Sequence, residues 1–377
     1  MKRKSKLILY FIVFFIFLYI ILLYGNYLNR KIDAAYKKVL EETYFEKFEI
    51  ACTGDIFLHT SNIVDAHLKD NEYDFNYVFD EVRDLLKSSD ITTCWFGGVV
   101  DTLPPYSGYP FFKSPFQILQ SLKNTGFDIL LRTNHVYDFG QNGLQRTNSF
   151  IKTIFLKQIG GYSSKEESEK IIVVKKGKIR VAFLSYTYGT NGLIPKESWE
   201  VDLINFKKIR DDIKKAKDVS DFVVVFFHYG NEYERKYSKF QKDVAFFASS
   251  NGADIVIGSH PHVVQPLDSF LLDDGRKVYS AYSLGNFYCG QRKKYTNSGV
   301  IFKLILERSK RTDGKVKVKK IFFLPTYIIK DSSKDLHKYK VILSGNHLYE
   351  KDDTLRNSII NSVKELKELI PEKYILY

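Results

Sequence analysis

Two stretches decide the fold: DFVVVFFHYGNEY at 221–233 and GADIVIGSHPHVVQP at 252–266. Phe222 to Phe227 is an unbroken apolar run, the pattern of a strand buried on both faces in a parallel sheet. It ends in His228, and the second run ends in His260 and His262. Open α/β sheets place their ligands beyond the carboxyl ends of their strands, so histidines at these positions stand where a site is built. Only Pro261 separates His260 from His262, and its fixed φ stiffens the link. Two imidazoles held that close on extended backbone suit a shared metal ion or anion. The competing reading is a pair of ordinary loop histidines.

Around these runs the chain alternates between strand and helix. FEIACTGDIFL (48–58), DITTCWF (90–96), DILLRTNH (128–135) and RVAFLSYTY (180–188) read as strands. FNYVFDEVRDLLKSSD (75–90), SPFQILQSLKNTGF (114–127), NGLQRTNSFIKTIFLK (142–157), FKKIRDDIKKAKDVS (206–220) and FQKDVAFFASSNGA (240–253) carry helical spacing. KVYSAYSLGNFYCG (277–290), SGVIFKLILER (298–308) and KVKVKKIFFLPTYII (315–329) read as late antiparallel strands. There is no internal repeat and no low-complexity linker. The alternation predicts one α/β domain over 49–345 and a helical tail over 346–377.

With 377 residues, 44% hydrophobic and 27% charged, the composition is that of a globular protein and excludes a disordered one. Cys52, Cys94 and Cys289 are too few and scattered for a disulfide framework or a cysteine zinc cluster. The N-terminus has its own character. A basic leader over 1–6 precedes an uncharged apolar stretch, Leu7 to Gly25, about the ~20 residues a bilayer-spanning helix requires. It is too long for a cleaved signal peptide core and lacks a close small-residue cleavage site. Lys2, Arg3, Lys4 and Lys6 orient it with the N-terminus cytoplasmic, a preference that Arg30 and Lys31 weaken without reversing. The expectation is a signal anchor over 7–25, a polar stalk over 26–48 and a domain outside the cell membrane.

Net charge is +13, but residues 1–31 hold six basic and no acidic residues, leaving 51 basic against 44 acidic. A mildly basic exterior domain favours an anionic polymer as partner. No basic helix, zinc finger or aromatic platform points to nucleic acid.

The motifs TGDIFL, SGYPFFKSP, TNHVYDFGQNGL, FFHYGNEY, GADIVIGSHPHVVQP and YSLGNFYCGQ follow one another in that order over about residues 49–330. The series resembles the capsule-synthesis CapA/PgsA family of bacterial membrane-anchored proteins, associated with poly-γ-glutamate capsules. That family is similar to calcineurin-type metallophosphoesterases, which implies a four-layer αββα sandwich around a two-metal site. Carried onto this chain, the resemblance marks Asp55, Asn134, His228, His260 and His262 as metal ligands. It makes His135 the proton donor or phosphate contact. Asp55 and His262 would hold one ion, and Asn134, His228 and His260 mainly the other. Such a donor set suits Mn, Zn or Fe, as one ion or two. The competing readings are Asp55 as a simple turn residue and Asn134 as a cap on the next helix, and Glu232 reads as a solvated charge.

The chain departs from the family pattern. Trp95 and Gly97 stand where relatives carry the asparagine and glutamate of Asn-Leu-Glu, the glutamate occupying the place of a bridging carboxylate. Ser259 replaces an outer histidine, and Phe57 takes the histidine position of the Asp-x-His motif. Asp101 is the nearest replacement carboxylate, offset by four residues. Two function classes follow. One is a capsule biosynthesis or export component, working with other synthesis subunits on a poly-γ-glutamate-type polymer. The other is an active metal-dependent phosphoesterase, which the glycine at 97 would impair.

Overall fold

The computed structural model describes residues 2–310, 314–331, 333 and 335–377, with the side chains of 2–14 and 41–43 outside that description. The first half of the chain forms α1 (Lys2–Tyr44), β1 (Phe45–Phe57), α2 (Thr60–Ala66), α3 (Arg83–Lys87), β2 (Ile91–Phe96), β3 (Val99–Asp101) and β4 (Lys113–Pro115). It continues through α4 (Gln117–Thr125), β5 (Ile129–Arg132), α5 (Gly140–Thr153), β6 (Lys157–Ile159) and α6 (Lys165–Ser168). Then come β7 (Ile172–Lys176), β8 (Ile179–Thr187), α7 (Phe206–Val219), β9 (Phe222–His228), α8 (Lys239–Ser250) and β10 (Ile255–Ser259). The remainder is β11 (Leu267–Leu271), β12 (Lys277–Ala281), β13 (Asn286–Cys289), β14 (Ser298–Ser309), β15 (Lys317–Lys330), β16 (Tyr339–Leu343) and α9 (Asp353–Lys367).

Met1–Glu46 with Arg308–Lys315 forms one compact unit, and Lys47–Glu307 with Val316–Tyr377 the other. In the first, the apolar side chains from Phe15 to Tyr24 on α1 are exposed or nearly so. Residues 7–14 of the expected anchor have side chains outside the described residues. Among the described residues no helix is long and apolar enough to cross a membrane.

The second unit is built on two large sheets. One has the order β16-β15-β14-β1-β2-β5-β6, with β13 also paired to β1; the other runs β11-β12-β10-β9-β8-β7. A strand's side chains alternate between faces, and β9 shows what that achieves. Phe222, Val224 and Phe226 enter a core shared with Ile50, Trp95, Leu131 and Phe302 of the other sheet. Val223, Val225 and Phe227 face Ile209 and Ile213 of α7 and Val244 and Ala248 of α8. The first sheet likewise packs its outer face on α4 through Ile118, Leu119 and Leu122. The layers are therefore helix, sheet, sheet, helix, the mixed α/β arrangement expected from the motifs.

Helix starts are locally encoded. Ser238 and Gln241 form a capping box on α8, Ser238 Oγ accepting from Gln241 N at 3.2 Å and Gln241 Oε1 from Ser238 N at 2.9 Å. Asn205 caps α7 by accepting from Lys208 N at 3.0 Å.

Several expectations need correction. The stretch 277–290 is not simply antiparallel: β12 runs parallel to β10, and β13 runs parallel to β1. The run 75–90 is broken into a 3₁₀ turn, Asn76–Phe79, and the short α3. The region 346–377 contributes Leu366, Ile370 and Ile375 to the core between the sheets. Leu376 N also donates to Phe323 O at 2.9 Å. Strand β1 begins at Phe45, inside the stretch expected as stalk.

Candidate metal centre

Register brings the site residues together. Ser259 of β10 and Thr187 of β8 both pair with His228, so His260 leaves its strand beside the end of β9. His228 shares the parity of Phe222, Val224 and Phe226, which turns it toward the other sheet. There the register of β1 slips between Cys52 and Asp55, placing Asp55 opposite the inward-facing Trp95 of β2. Asn134 and His135 follow β5 directly. Asp55, Asn134, His228, His260 and His262 are all buried and gather at the carboxyl edges of both sheets. His228 and His260 lie 4.9 Å apart between ring centroids, and His260 and His262 6.0 Å.

The backbone on either side of Pro261 is not the extended chain expected from the sequence. His260 has φ 106° and His262 φ 60°, both in the positive region that non-glycine residues avoid. Each such residue costs on the order of 1–3 kcal/mol and clusters at functional sites. Tyr233 N donates to Pro261 O at 2.8 Å, which clamps the loop after β9 onto this bend. The clamp brings Glu232, exposed and not simply solvated as its sequence context suggested, into a group with His260 and His262 whose ligand atoms all lie within 4.8 Å of one another.

Hydrogen bonds fix the imidazole tautomers. His262 Nδ1 lies 3.1 Å from Asp55 Oδ2 and 2.9 Å from Asn286 Oδ1; both are acceptors, so Nδ1 carries the proton. His228 Nε2 donates to Asn134 Oδ1 at 3.0 Å, which leaves its Nδ1 as a bare lone pair. That lone pair faces Asp55 Oδ1 at 3.7 Å, and neither atom has a hydrogen-bond partner. Two buried acceptors pointed at each other repel unless a cation lies between them. His260 Nδ1 is buried and unpartnered as well. This donor set of carboxylate and neutral imidazoles fits a divalent transition ion.

Ionisation follows the same pattern. Burial, then the charges of His262 and His135, push His260 down to about 3. Burial, then His260, His262 and His135, hold His228 well below the ordinary imidazole range. Burial also opposes a proton on His262, but its hydrogen bond to Asp55 and that carboxylate's charge override it and raise the pKa. Neutral His228 and His260 are the forms a metal takes.

His135 belongs to a different network. Its Nδ1 donates to Asp138 Oδ2 at 2.9 Å, with Asn191 Nδ2 3.0 Å from the same nitrogen, and that carboxylate oxygen also accepts from Phe112 N at 2.7 Å. Asn134 does not cap a helix, since α5 starts after Phe139; its Nδ2 donates to Asn191 Oδ1 at 2.7 Å and Tyr188 Oη at 3.2 Å. Asp55 lies within 3.1 Å of His262 and 3.7 Å of His228, so one carboxylate reaches a ligand from each of the two expected sets.

Asp101 has partners of its own. Arg146 and Lys113 pair with it, in a pocket lined by residues of β3, β4 and α5 and by Phe139. Burial raises its pKa, but the Arg146 hydrogen bond and the amides of Leu103 and Thr102 hold it below the usual range.

Residues that the sequence reading passed over complete the cleft. Asn286 orients His262, Asp138 orients His135, and Tyr188 packs on His260 at 4.6 Å. His59 lies against Phe112 at 5.2 Å, and burial, then His262 and His135, push it down to about 4. Asn286 was within reach, since YSLGN ends an apolar run as the histidine stretches do.

Comparison with known proteins defines the class. The family described as "Bacterial capsule synthesis protein PGA_cap" matches residues 49–291. Capsule biosynthesis protein CapA of Bacillus anthracis is 30% identical over 305 residues, covering 77% of this chain and 71% of that protein. PGA biosynthesis protein CapA of Bacillus subtilis strain 168 is 30% identical over 200 residues, 50% of this chain and about half, 49%, of its own length. The chain belongs to the bacterial capsule synthesis protein family. Among solved structures, Haemophilus influenzae NAD nucleotidase aligns with TM-score 0.47 at 12% identity, covering 86% of this chain and 60% of that one. A 5'-nucleotidase precursor from Thermus thermophilus aligns with TM-score 0.41, also at 12% identity, with the same coverage of both chains, 86% and 60%.

Proposed function

We propose that this protein is a membrane-anchored component of capsule assembly. Its cleft holds a divalent cation, Mn, Zn or Fe, and engages an anionic polymer of the poly-γ-glutamate type outside the cell. The observation that carries this reading is the pair of buried acceptors, Asp55 Oδ1 and His228 Nδ1, facing each other across 3.7 Å without a donor. Asp55, His228, His260 and His262 would hold the ion, with Glu232 at the mouth and Asn134 orienting His228. When bound, the ion supplies positive charge for a carboxylate or phosphate oxygen.

Other features support the polymer and the anchor. Arg292, Lys293 and Lys294 are exposed directly after Gln291, which bonds both Asn286 and Tyr233 of the cleft wall. Lys293 lies 3.8 Å over the Tyr233 ring. Positive charge at that rim steers anionic chains toward the site. The uncharged stretch Leu7–Gly25 behind a basic leader supports a single span with the domain outside. The layering of helix, sheet, sheet and helix supports a metallophosphoesterase-type sandwich.

The test is complementation. In a capsule-forming host lacking its own copy, the full-length chain restores surface polymer, whereas Asp55→Asn and His228→Ala, present at equal level, do not. Full capsule with either variant refutes the metal cleft's role. Protease added to intact cells should digest the domain beyond residue 46, and its protection would reverse the topology.

The His135–Asp138 pair supports a second reading, an active phosphoesterase. A histidine whose Nδ1 proton is held by a buried carboxylate can pass a proton at Nε2. Metal-dependent turnover of simple phosphoesters, abolished by His135→Ala, would favour it.

A further inference from the structure

A hydrocarbon ring sits inside this polar cleft. Phe57 is 2% exposed and meets both His135 and His262 edge to face, with centroids 5.4 Å apart in each case. It stacks on His228 at 6.3 Å, and Phe112 backs it at 5.2 Å. Gly97 provides its seat. A Cβ added at Gly97 would fall on Cδ1, Cε1 and Cζ of the Phe57 ring. The two residues are complementary in volume: the ring fits because residue 97 has no side chain.

The ring borders on His135, His228 and His262 at once, so it fills the space among them. A second cation beside the first, at the ~3.5–4 Å spacing of two-ion sites, would need oxygen or nitrogen donors there. Phe57 offers none, and leaving a dehydrated dication against hydrocarbon is prohibitively costly. The nitrogens left nearby are His135 Nε2, since its Nδ1 is committed to Asp138, and the unpartnered Nε2 of His59, and neither supplies the negative charge of a bridging carboxylate.

We infer that Phe57, seated on Gly97, takes the place of a second ion, so that the cleft binds one divalent cation. This rests on the metal reading given under Proposed function. A single ion polarises one oxygen of a ligand but does not clamp two. The site is thereby suited to holding and orienting an anionic polymer more than to splitting a phosphoester.

The experiment counts ions. Full-length protein in detergent is equilibrated with Mn²⁺, freed of excess, and measured by elemental analysis and electron paramagnetic resonance. Wild type is expected to hold about one ion per chain with the spectrum of isolated Mn²⁺, against about two for a paired site. Gly97→Glu alone should gain no second ion, because Phe57 occupies the space its side chain needs. Phe57→His/Gly97→Glu should reach about two ions with an exchange-coupled signal. Two ions in wild type, a second ion in folded Gly97→Glu, or a single ion in the folded double variant each overturn the inference. If no protein in the series binds Mn²⁺, the metal reading itself falls. Should a variant not fold, the wild-type count decides alone.

Discussion

The Asp55–His228–His260–His262 region and the Asn134–His135–Asp138 region share one cleft and the same kinds of side chain. They differ in how their polar atoms are matched. In the first, Asp55 Oδ1, His228 Nδ1 and His260 Nδ1 are buried with no partner. In the second, His135 Nδ1 meets Asp138 Oδ2 and the Asn134 amide meets His228, Asn191 and Tyr188, with Asp138 Oδ1 the one atom of these three side chains left buried without a partner. Burying a polar group without a partner is costly, and native structures leave few such groups unexplained. The unmatched half is therefore built for something the polypeptide does not supply, and the matched half for holding side chains in place.

The strongest way to break this contrast is to remove a ligand from the unmatched half. His260→Ala should weaken Mn²⁺ or Zn²⁺ binding on the order of 1000-fold, about 4 kcal/mol, measured by calorimetry. Unchanged affinity would mean the unpartnered atoms serve no ion. In the matched half, Asp138→Ala leaves Phe112 N–H and His135 without their acceptor. Denaturant unfolding should show a loss of about 3 kcal/mol with the ion count unaltered, and a drop in ion count would merge the two halves.

Acid sharpens the comparison. His260 stays neutral in the fold down to about 3, against an ordinary value of 6.5. The unfolded chain takes up that proton first, so stability is fully present above 6.5 and falls as pH drops toward 3. His228 acts in the same direction and His262 in the opposite one. For His260 alone, chelator-treated protein should lose about 2 kcal/mol between about pH 7 and about pH 5. His260→Asn should flatten that slope, and an equally steep slope in the variant would reassign it. The smallest effect is expected at Asn286, which touches His262 without being a ligand. Asn286→Ala should cost about tenfold in metal affinity, and no loss at all would show that His262 needs no orienting partner.

What could be read from the sequence divides along the same line. Asp55, Asn134, His228, His260 and His262 each end an apolar run, and a strand's parity and direction then determine where they go. Asp138, Asn191, Tyr188 and Glu232 lie in loops, where placement comes from contacts such as Tyr233 N to Pro261 O that no periodicity announces. The layering was implied by the family resemblance, but β7, β11 and β16, like the three-residue strands β3, β4 and β6, were not foreseen. IVVKK is basic at one end, and LDSFL and YKVIL are short and interrupted by polar residues. The departure at Gly97 was visible as a missing carboxylate. That Phe57 fills the gap was not, because the two residues lie forty positions apart and meet only through the register of β1 and β2.

The central strand β1 has a further consequence, for folding order. It carries Asp55 and lies between β14 and β2, with β13 also paired to its end, while Leu366, Ile370 and Ile375 seal the core beside it. Strand β1 leaves the ribosome early, yet partners it needs are made more than two hundred residues later. Such long-range pairing slows folding and leaves an unpaired strand edge exposed in the meantime. A nascent chain would therefore complete this site only after residues 366–375 had followed, and a fusion or truncation there would be felt at Asp55.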